Sequence, residues 1–269
     1  MDNQRITVIG GGQMGRALVG GMLDNKVVLD ANVTIVDHNA TSRQWWQENR
    51  PNVLISQDLE SSVQGADLVV LAVKPKVLGN VAKQAEHFWD GKLVVSIAAG
   101  VMLETLCGWI GHRRVVRVMP NTPCLVGQGA CAYCVADEVS SDDEAQIMTV
   151  LSSVGMAFAV SESQMDGVTG LSGSGPAYVC LIIEALADGG VFAGLPRPLA
   201  MKLATQTVLG TAQMIAETGR HPGELKDSVA SPAGTTIAAI RVLEQNGLRA
   251  TMIDAVAASA QRSRELAKD

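Results

Sequence analysis

Residues 8–23 read VIGGGQMGRALVGGML, and the three glycines Gly10, Gly12 and Gly15 close an apolar run and open a helical one. That order matters more than the triplet itself. In a strand–loop–helix unit the first glycine permits a tight turn, the second lets a pyrophosphate reach the backbone, and the third lets helix and strand approach closely. The helix then presents its N-terminus to the phosphates. Downstream, NVTIVD ends on Asp37, at the spacing where such a unit carries its ribose-binding acid. A dinucleotide site in a Rossmann-like domain is therefore expected, with Gln13 and Met14 inside its loop.

Asp37 leaves the cofactor open. A carboxylate there accepts from the adenosine ribose hydroxyls and repels a 2′-phosphate, which tips the expectation toward NADH. His38, Asn39 and Arg43 follow, and a nearby cation accommodates that phosphate, so NADPH stays open. Asp37 also fits a turn residue that starts the next helix.

Working outward, short β-rich runs alternate with helical stretches up to about residue 160: RITVI, NVTIVD, DLVVLAV, KLVVSIAA, RVVRVMP, ACAYCVA and AFAVS. Alternation of this kind specifies a parallel sheet with flanking helices. LVVLAV and LVVSIAA are apolar on both faces, as central strands are. The tryptophans lie mostly outside these runs, so an aliphatic core is expected. Beyond the strand ends, where open sheets bind ligands, come AVKPK, SIAAGV and VMPNTP. Lys74 there reads equally as a cofactor contact and as a surface lysine at a helix start.

From about residue 165 strand-like runs disappear and Ala-, Leu- and Met-rich helical segments begin, which gives a dinucleotide-binding domain over 1–163 and a helical domain over 164–269. The segments AYVCLIIEALADGGVFAGL and 198–217 are apolar nearly all round. About 100 residues cannot bury both, so a partner subunit is expected to cover them; burial against the first domain is the alternative.

The chain has 269 residues, 47% hydrophobic and 18% charged, with formal net charge −6. No basic field is present to attract nucleic acid. The first residues lack a secretory layout and no uninterrupted apolar run approaches a membrane span, so a cytoplasmic protein is expected. Five scattered cysteines argue against a disulfide framework. Cys131 and Cys134 form a C-x-x-C, but GACAYCVAD alternates as a strand does, which sends the two side chains to opposite faces. No histidine has a ligating partner at helical spacing, so no metal is expected. The chemistry then belongs to the cofactor.

Residues 230–244 read ASPAGTTIAAIRVLE. Ser231 is expected as N-cap and Pro232 as the first helical residue. Gly234 allows close approach to the backbone, and unpaired amides at a helix start, with the Thr235 and Thr236 hydroxyls, suit a small carboxylate. Simple capping is the competing account.

The combination of GGGQMG, AVKP, SIAAG, RVMPNTP, GLSGSGPAY and PGELKDSVASPAGTTIAAIRVLE, spread over the whole chain, resembles the pyrroline-5-carboxylate reductase family. That resemblance implies hydride transfer from NADPH or NADH to C5 of 1-pyrroline-5-carboxylate, giving L-proline. It implies a Rossmann-like domain followed by a helical dimerisation domain, with a homodimer or a larger ring of dimers. Carried over by position, Ser231 and the backbone of Gly234 and Thr235 hold the substrate carboxylate, and the Thr236 hydroxyl bonds the ring nitrogen as the catalytic group. Gly10, Gly12, Gln13, Met14 and Gly15 hold the pyrophosphate, and Val73, Lys74, Pro75, Ala98 and Asn121 line the path to the nicotinamide. Asp37 departs from the family, many of whose members place a small polar residue there. Two rivals remain: a β-hydroxyacid dehydrogenase, against which the absence of a lysine in SGSGPAYVCLIIEALADGG counts, and a dinucleotide-binding protein without catalysis.

Overall fold

The computed structural model describes residues 4–266. In chain order the elements are β1 (Ile6–Ile9), α1 (Gln13–Asp24), β2 (Val33–Val36), α2 (Ala40–Asn49), β3 (Leu54–Ser56), α3 (Leu59–Gln64), β4 (Leu68–Leu71) and α4 (Pro75–Gln84). There follow β5 (Leu93–Ser96), α5 (Leu103–Ile110), β6 (Val115–Met119), β7 (Gly129–Val135), α6 (Ser141–Ser152) and β8 (Gly155–Ala159). The rest is helical: α7 (Met165–Val168), a π-helical turn (Thr169–Gly173), α8 (Gly175–Phe192), α9 (Arg197–Thr218), α10 (Pro222–Ser228), α11 (Thr235–Gln245) and α12 (Leu248–Leu266).

Among the described residues, eight strands form one sheet in the order β3-β2-β1-β4-β5-β6-β7-β8. The chain reverses its direction of travel across the sheet between β1 and β4, and a crevice at the carboxyl ends of the strands belongs there. The expected parallel pairing holds from β3 through β6 and between β7 and β8, while β6 and β7 pair antiparallel. The cause is the connection: Met119 reaches Gly129 through one 3-10 turn, Thr122–Val126, too short for a crossover. The three-residue edge strand β3 belongs to none of the runs picked out in the sequence.

Successive residues of the central strands feed opposite cores. Leu68 and Val70 join one cluster with α1, α2 and α6, whereas Val69 and Leu71 join the other with α3, α4 and α5. Each such side chain contributes roughly 1.5–3 kcal/mol when fully buried. The core is not purely aliphatic: Trp46 and Trp89 are 0% and 1% exposed, one in each cluster. Their indole N–H groups are satisfied by Gly11 O at 3.0 Å and Ala82 O at 2.9 Å, which is what lets an indole enter from a helix side of the sheet. Cys131 and Cys134 point into opposite clusters, as strand alternation requires. The Cys131 sulfur lies 3.5 Å from that of Cys124, and both this contact and burial push the Cys131 thiol up.

The chain forms two compact units, one running to Ser174 and resuming from Ala258, the other comprising Gly175–Ala257. The first is closed by Ser174 and Asp166, which bond Ser259 and Ser263 of α12 at 2.8 and 2.7 Å. In the second, α8 and α9 meet along small residues, with Ala187, Ala200 and Ala204 buried and Ile183 and Val191 packed beside them. Their other faces stay open: Leu181 is 65% exposed, Leu209 56% and Phe192 96%. The helical run Glu162–Phe192 is long and apolar enough to cross a membrane by length and composition alone, which the sequence passed over because polar residues interrupt it.

Candidate active site

The glycine loop is shaped by what a side chain would strike. Gly10 has φ +105°, and a Cβ there would lie 2.6 Å from Ala72 O. Only glycine tolerates both the left-handed backbone and the contact. Gly15 is buried against Gly10 O, so the start of α1 sits directly on the end of β1. Gly12, by contrast, is exposed, and a Cβ built on it meets nothing within 4 Å. It is the N-cap of α1 and supplies no side chain to the first amides. Open space thus faces a twelve-residue helix at its positive end, and a pyrophosphate fits that cradle. Gln13 is exposed beside it, while Met14 turns inward and packs on the core.

Asp37 ends β2 with both oxygens engaged. Its Oδ2 accepts from Gly11 N and its Oδ1 from Asn39 N, each at 2.9 Å. The turn reading and the ribose reading are therefore compatible, because a carboxylate offers about four lone-pair sites and the protein takes two. Asn39 caps α2 through Ser42 N, and His38 is exposed. Arg43 turns back on the backbone, donating from Nη1 to Asp37 O at 3.0 Å and His38 O at 2.7 Å.

The neighbouring strand ends supply the remaining positions. Ala72 N donates to Ile9 O at 2.8 Å, and Val73 Cγ1 would lie 3.2 Å from a Cβ on Gly10, so the loop after β4 flanks the glycine turn. Lys74 is the exposed N-cap of α4 and Pro75 its first residue, which is the helix-start geometry expected of that lysine. Ala98 is buried past the end of β5, with its N–H donating to Ser96 Oγ at 3.3 Å. Asn121 is 8% exposed and structurally committed: Nδ2 donates to Ser172 O at 3.1 Å and Oδ1 accepts from Ala130 N at 2.9 Å. It ties the loop after β6 to the π-helical turn. Carried by β1, β2, β4, β5 and β6, these positions belong to adjacent strands of one sheet edge.

Ser231, Gly234, Thr235 and Thr236 lie together in the second unit, but not as a Ser-Pro helix start. The N-cap of α11 is Gly234, and Thr235 is its first residue. Ser231, Pro232 and Ala233 form a tight turn closed by Gly234 N donating to Ser231 O at 3.0 Å. Proline serves here at the second position of a turn, where its fixed φ is equally favourable. Ala233 takes φ +56°, rare for a residue with a Cβ. The Ser231 hydroxyl occupies the space a Cβ on Gly234 would need, which accounts for the glycine.

Sequence reasoning missed Gly11, Ser42 and Trp46. Gly11 O accepts from Ser42 Oγ at 2.9 Å and from Trp46 Nε1 at 3.0 Å. A buried indole one turn after a serine has no motif; the middle glycine of GGG was the available signal.

Residues 162–266 match a family profile described as pyrroline-5-carboxylate reductase dimerisation, and residues 5–100 one described as NADP oxidoreductase coenzyme F420-dependent. A pyrroline-5-carboxylate reductase of Glycine max is 46% identical over 96% of this chain and 94% of its own length. Among solved structures, the pyrroline-5-carboxylate reductase of Coxiella burnetii superposes with a TM-score of 0.91 at 36% identity, covering 100% of both chains. The pyrroline carboxylate reductase of Plasmodium falciparum, solved with NADP bound, gives 0.90 at 32% identity over 99% of both. With a glycine cradle at the sheet's reversal point, a helical second unit and similarity along its full length, the chain belongs to the pyrroline-5-carboxylate reductase family.

Proposed function

We propose that this protein reduces 1-pyrroline-5-carboxylate to L-proline with NADH or NADPH, the last step of proline synthesis. The observation that carries this reading is the 46% identity to a pyrroline-5-carboxylate reductase over 96% of the chain. The bound dinucleotide supplies the hydride that C5 of the imine receives. Everything else falls to the protein's own groups.

Gly10, Gly12, Gln13, Met14 and Gly15 form the pyrophosphate cradle, and Asp37, His38 and Asn39 border the adenosine ribose. Val73, Lys74, Pro75 and Ala98 line the way to the nicotinamide, where Asn121 acts by holding its loop. Ser231 with the amide of Thr235 receives the substrate carboxylate at the positive end of α11, while Gly234, whose own N–H is given to Ser231 O, shapes the backbone of that seat. The Thr236 hydroxyl hydrogen-bonds the ring nitrogen. A protonated imine is already electrophilic, so orientation and a partner for nitrogen supply most of what the protein must add. Residues 1–163 serve the dinucleotide and 164–269 serve substrate and assembly.

The exposed apolar faces of α8 and α9 support a homodimer, and a larger ring of dimers is the further arrangement we assign. We place the protein in the cytoplasm, a setting with which its unbridged cysteines are compatible. The decisive experiment is steady-state oxidation of NADH and of NADPH, side by side, on addition of the cyclic imine. Imine-dependent oxidation with concomitant proline formation is expected. None with either cofactor defeats the reading.

A further inference from the structure

The cofactor loop is held at a residue outside its motif. Gly11 is buried, and its two polar groups are taken up by different elements: its N–H donates to Asp37 Oδ2, and its carbonyl accepts both the Ser42 hydroxyl and the Trp46 indole N–H. Ser42 and Trp46 stand four residues apart on α2 and so present one face of it. They are 8% and 0% exposed. A Cβ at Gly11 would lie 2.6 Å from Trp46 Nε1, 2.8 Å from Ile35 Cγ2 and 2.9 Å from Ser42 Oγ, so the seat admits glycine alone.

The Gly11 carbonyl and the Gly12 N–H belong to one planar trans peptide and point in opposite directions. Two donors that draw the carbonyl toward α2 therefore aim the Gly12 N–H away from it. Gly12 is the exposed N-cap of α1, with nothing within 4 Å of where its Cβ would be. We propose that Ser42 and Trp46 are positioning residues for the cofactor: by clamping the Gly11 carbonyl they fix the amide that meets the pyrophosphate. The inference rests on the dinucleotide reading of the first unit.

Two donors on one acceptor make the clamp redundant but not dispensable. Losing one leaves the carbonyl satisfied; losing both leaves a buried acceptor without a partner. The effects of the two substitutions are therefore coupled.

The test uses the full-length protein with Trp46→Phe, Ser42→Ala and the double variant. Dissociation constants for NADH and NADPH are measured by calorimetry, together with KM, kcat and the melting temperature without cofactor. Each single variant should stay folded and weaken both dinucleotides about two- to fivefold, and the double variant by more than the product of the two. The factor should be the same for NADH and NADPH, since the pyrophosphate is common to both. At saturating cofactor, kcat should stay within about twofold, a split between KM and kcat that a general loss of structure does not give. Unchanged dissociation constants in folded single and double variants overturn the proposal, as does a loss confined to kcat. A parent protein that binds dinucleotide but oxidises none with the imine defeats the proposed reaction and leaves the clamp testable by calorimetry alone.

Discussion

Asp37 and Gly11 are joined by a 2.9 Å hydrogen bond from the Gly11 amide to Asp37 Oδ2, and this ties the proposed ribose end of the cofactor site to its proposed pyrophosphate end. With Oδ1 held by Asn39 N the carboxylate is fixed in place, and the Arg43 Nη1 is occupied by two carbonyls. NADH should accordingly give the higher kcat/KM. Asp37→Ser should move the NADPH-to-NADH ratio upward by at least about tenfold, while weakening both cofactors because the Gly11 amide loses its acceptor. Side-by-side kinetics check this; a parent that favours NADPH, with a ratio unmoved by the substitution, removes Asp37 from cofactor choice.

Thr236 is half-buried on the first turn of α11. Thr236→Ala should lower kcat on the order of 10²-fold, the scale of a lost positioned hydrogen-bonding group. Its melting temperature should stay close to the parent's. Equal turnover of both proteins under saturating substrate would show that the ring nitrogen finds its partner elsewhere.

Asp143 meets Arg114 in a two-point contact of 2.6 and 3.0 Å and closes a capping box with Ser140 at the start of α6. The Arg114 guanidinium holds its carboxyl down at about 2, against an ordinary 3.8. A carboxylate with a depressed folded-state pKa stabilises above the unfolded value, and that contribution is lost as pH falls from about 4 toward about 2. With the side chain 4% exposed, it amounts to about 2 kcal/mol at neutral pH. Asp143→Asn should therefore lower stability by that order at pH 7, and the gap between variant and parent in denaturant melts should shrink on acidification. A gap that stays constant down to the acid limit would contradict the sign.

A 65% exposed Leu181 in the middle of α8 and a 56% exposed Leu209 in α9 demand a cover. Mass measurement at micromolar concentration should give a dimer or a larger assembly, and Leu181→Glu should shift it toward monomer with lower thermal stability. A folded, monodisperse parent monomer would defeat this.

What could be seen in the chain beforehand followed from how local each constraint is. Gly10 and Gly15 were legible because a turn and a close crossing each demand glycine, and Gly12 because the motif sets it between them. The central strands were legible because they are apolar on both faces. Ser231 and Pro232 misled, since a serine followed by proline is equally a helix cap and a turn opening, and the arbiter is the Ala233 backbone. The antiparallel β7 depended on the length of one connection. Trp46 and Ser42 were silent because their task is defined only once α2 has folded onto β1 and β2.

Ala233, with its left-handed backbone beside the proposed carboxylate seat, suggests a trade between endurance and speed. Glycine there would lift a local strain of about 1–2 kcal/mol yet return part of it as extra freedom in the unfolded chain, so the folded protein would gain little. The segment would meanwhile lose the stiffness that holds the Ser231–Gly234 turn in shape before any ligand arrives. A variant selected purely for heat resistance could thus pass through this position unnoticed and emerge slower at its work.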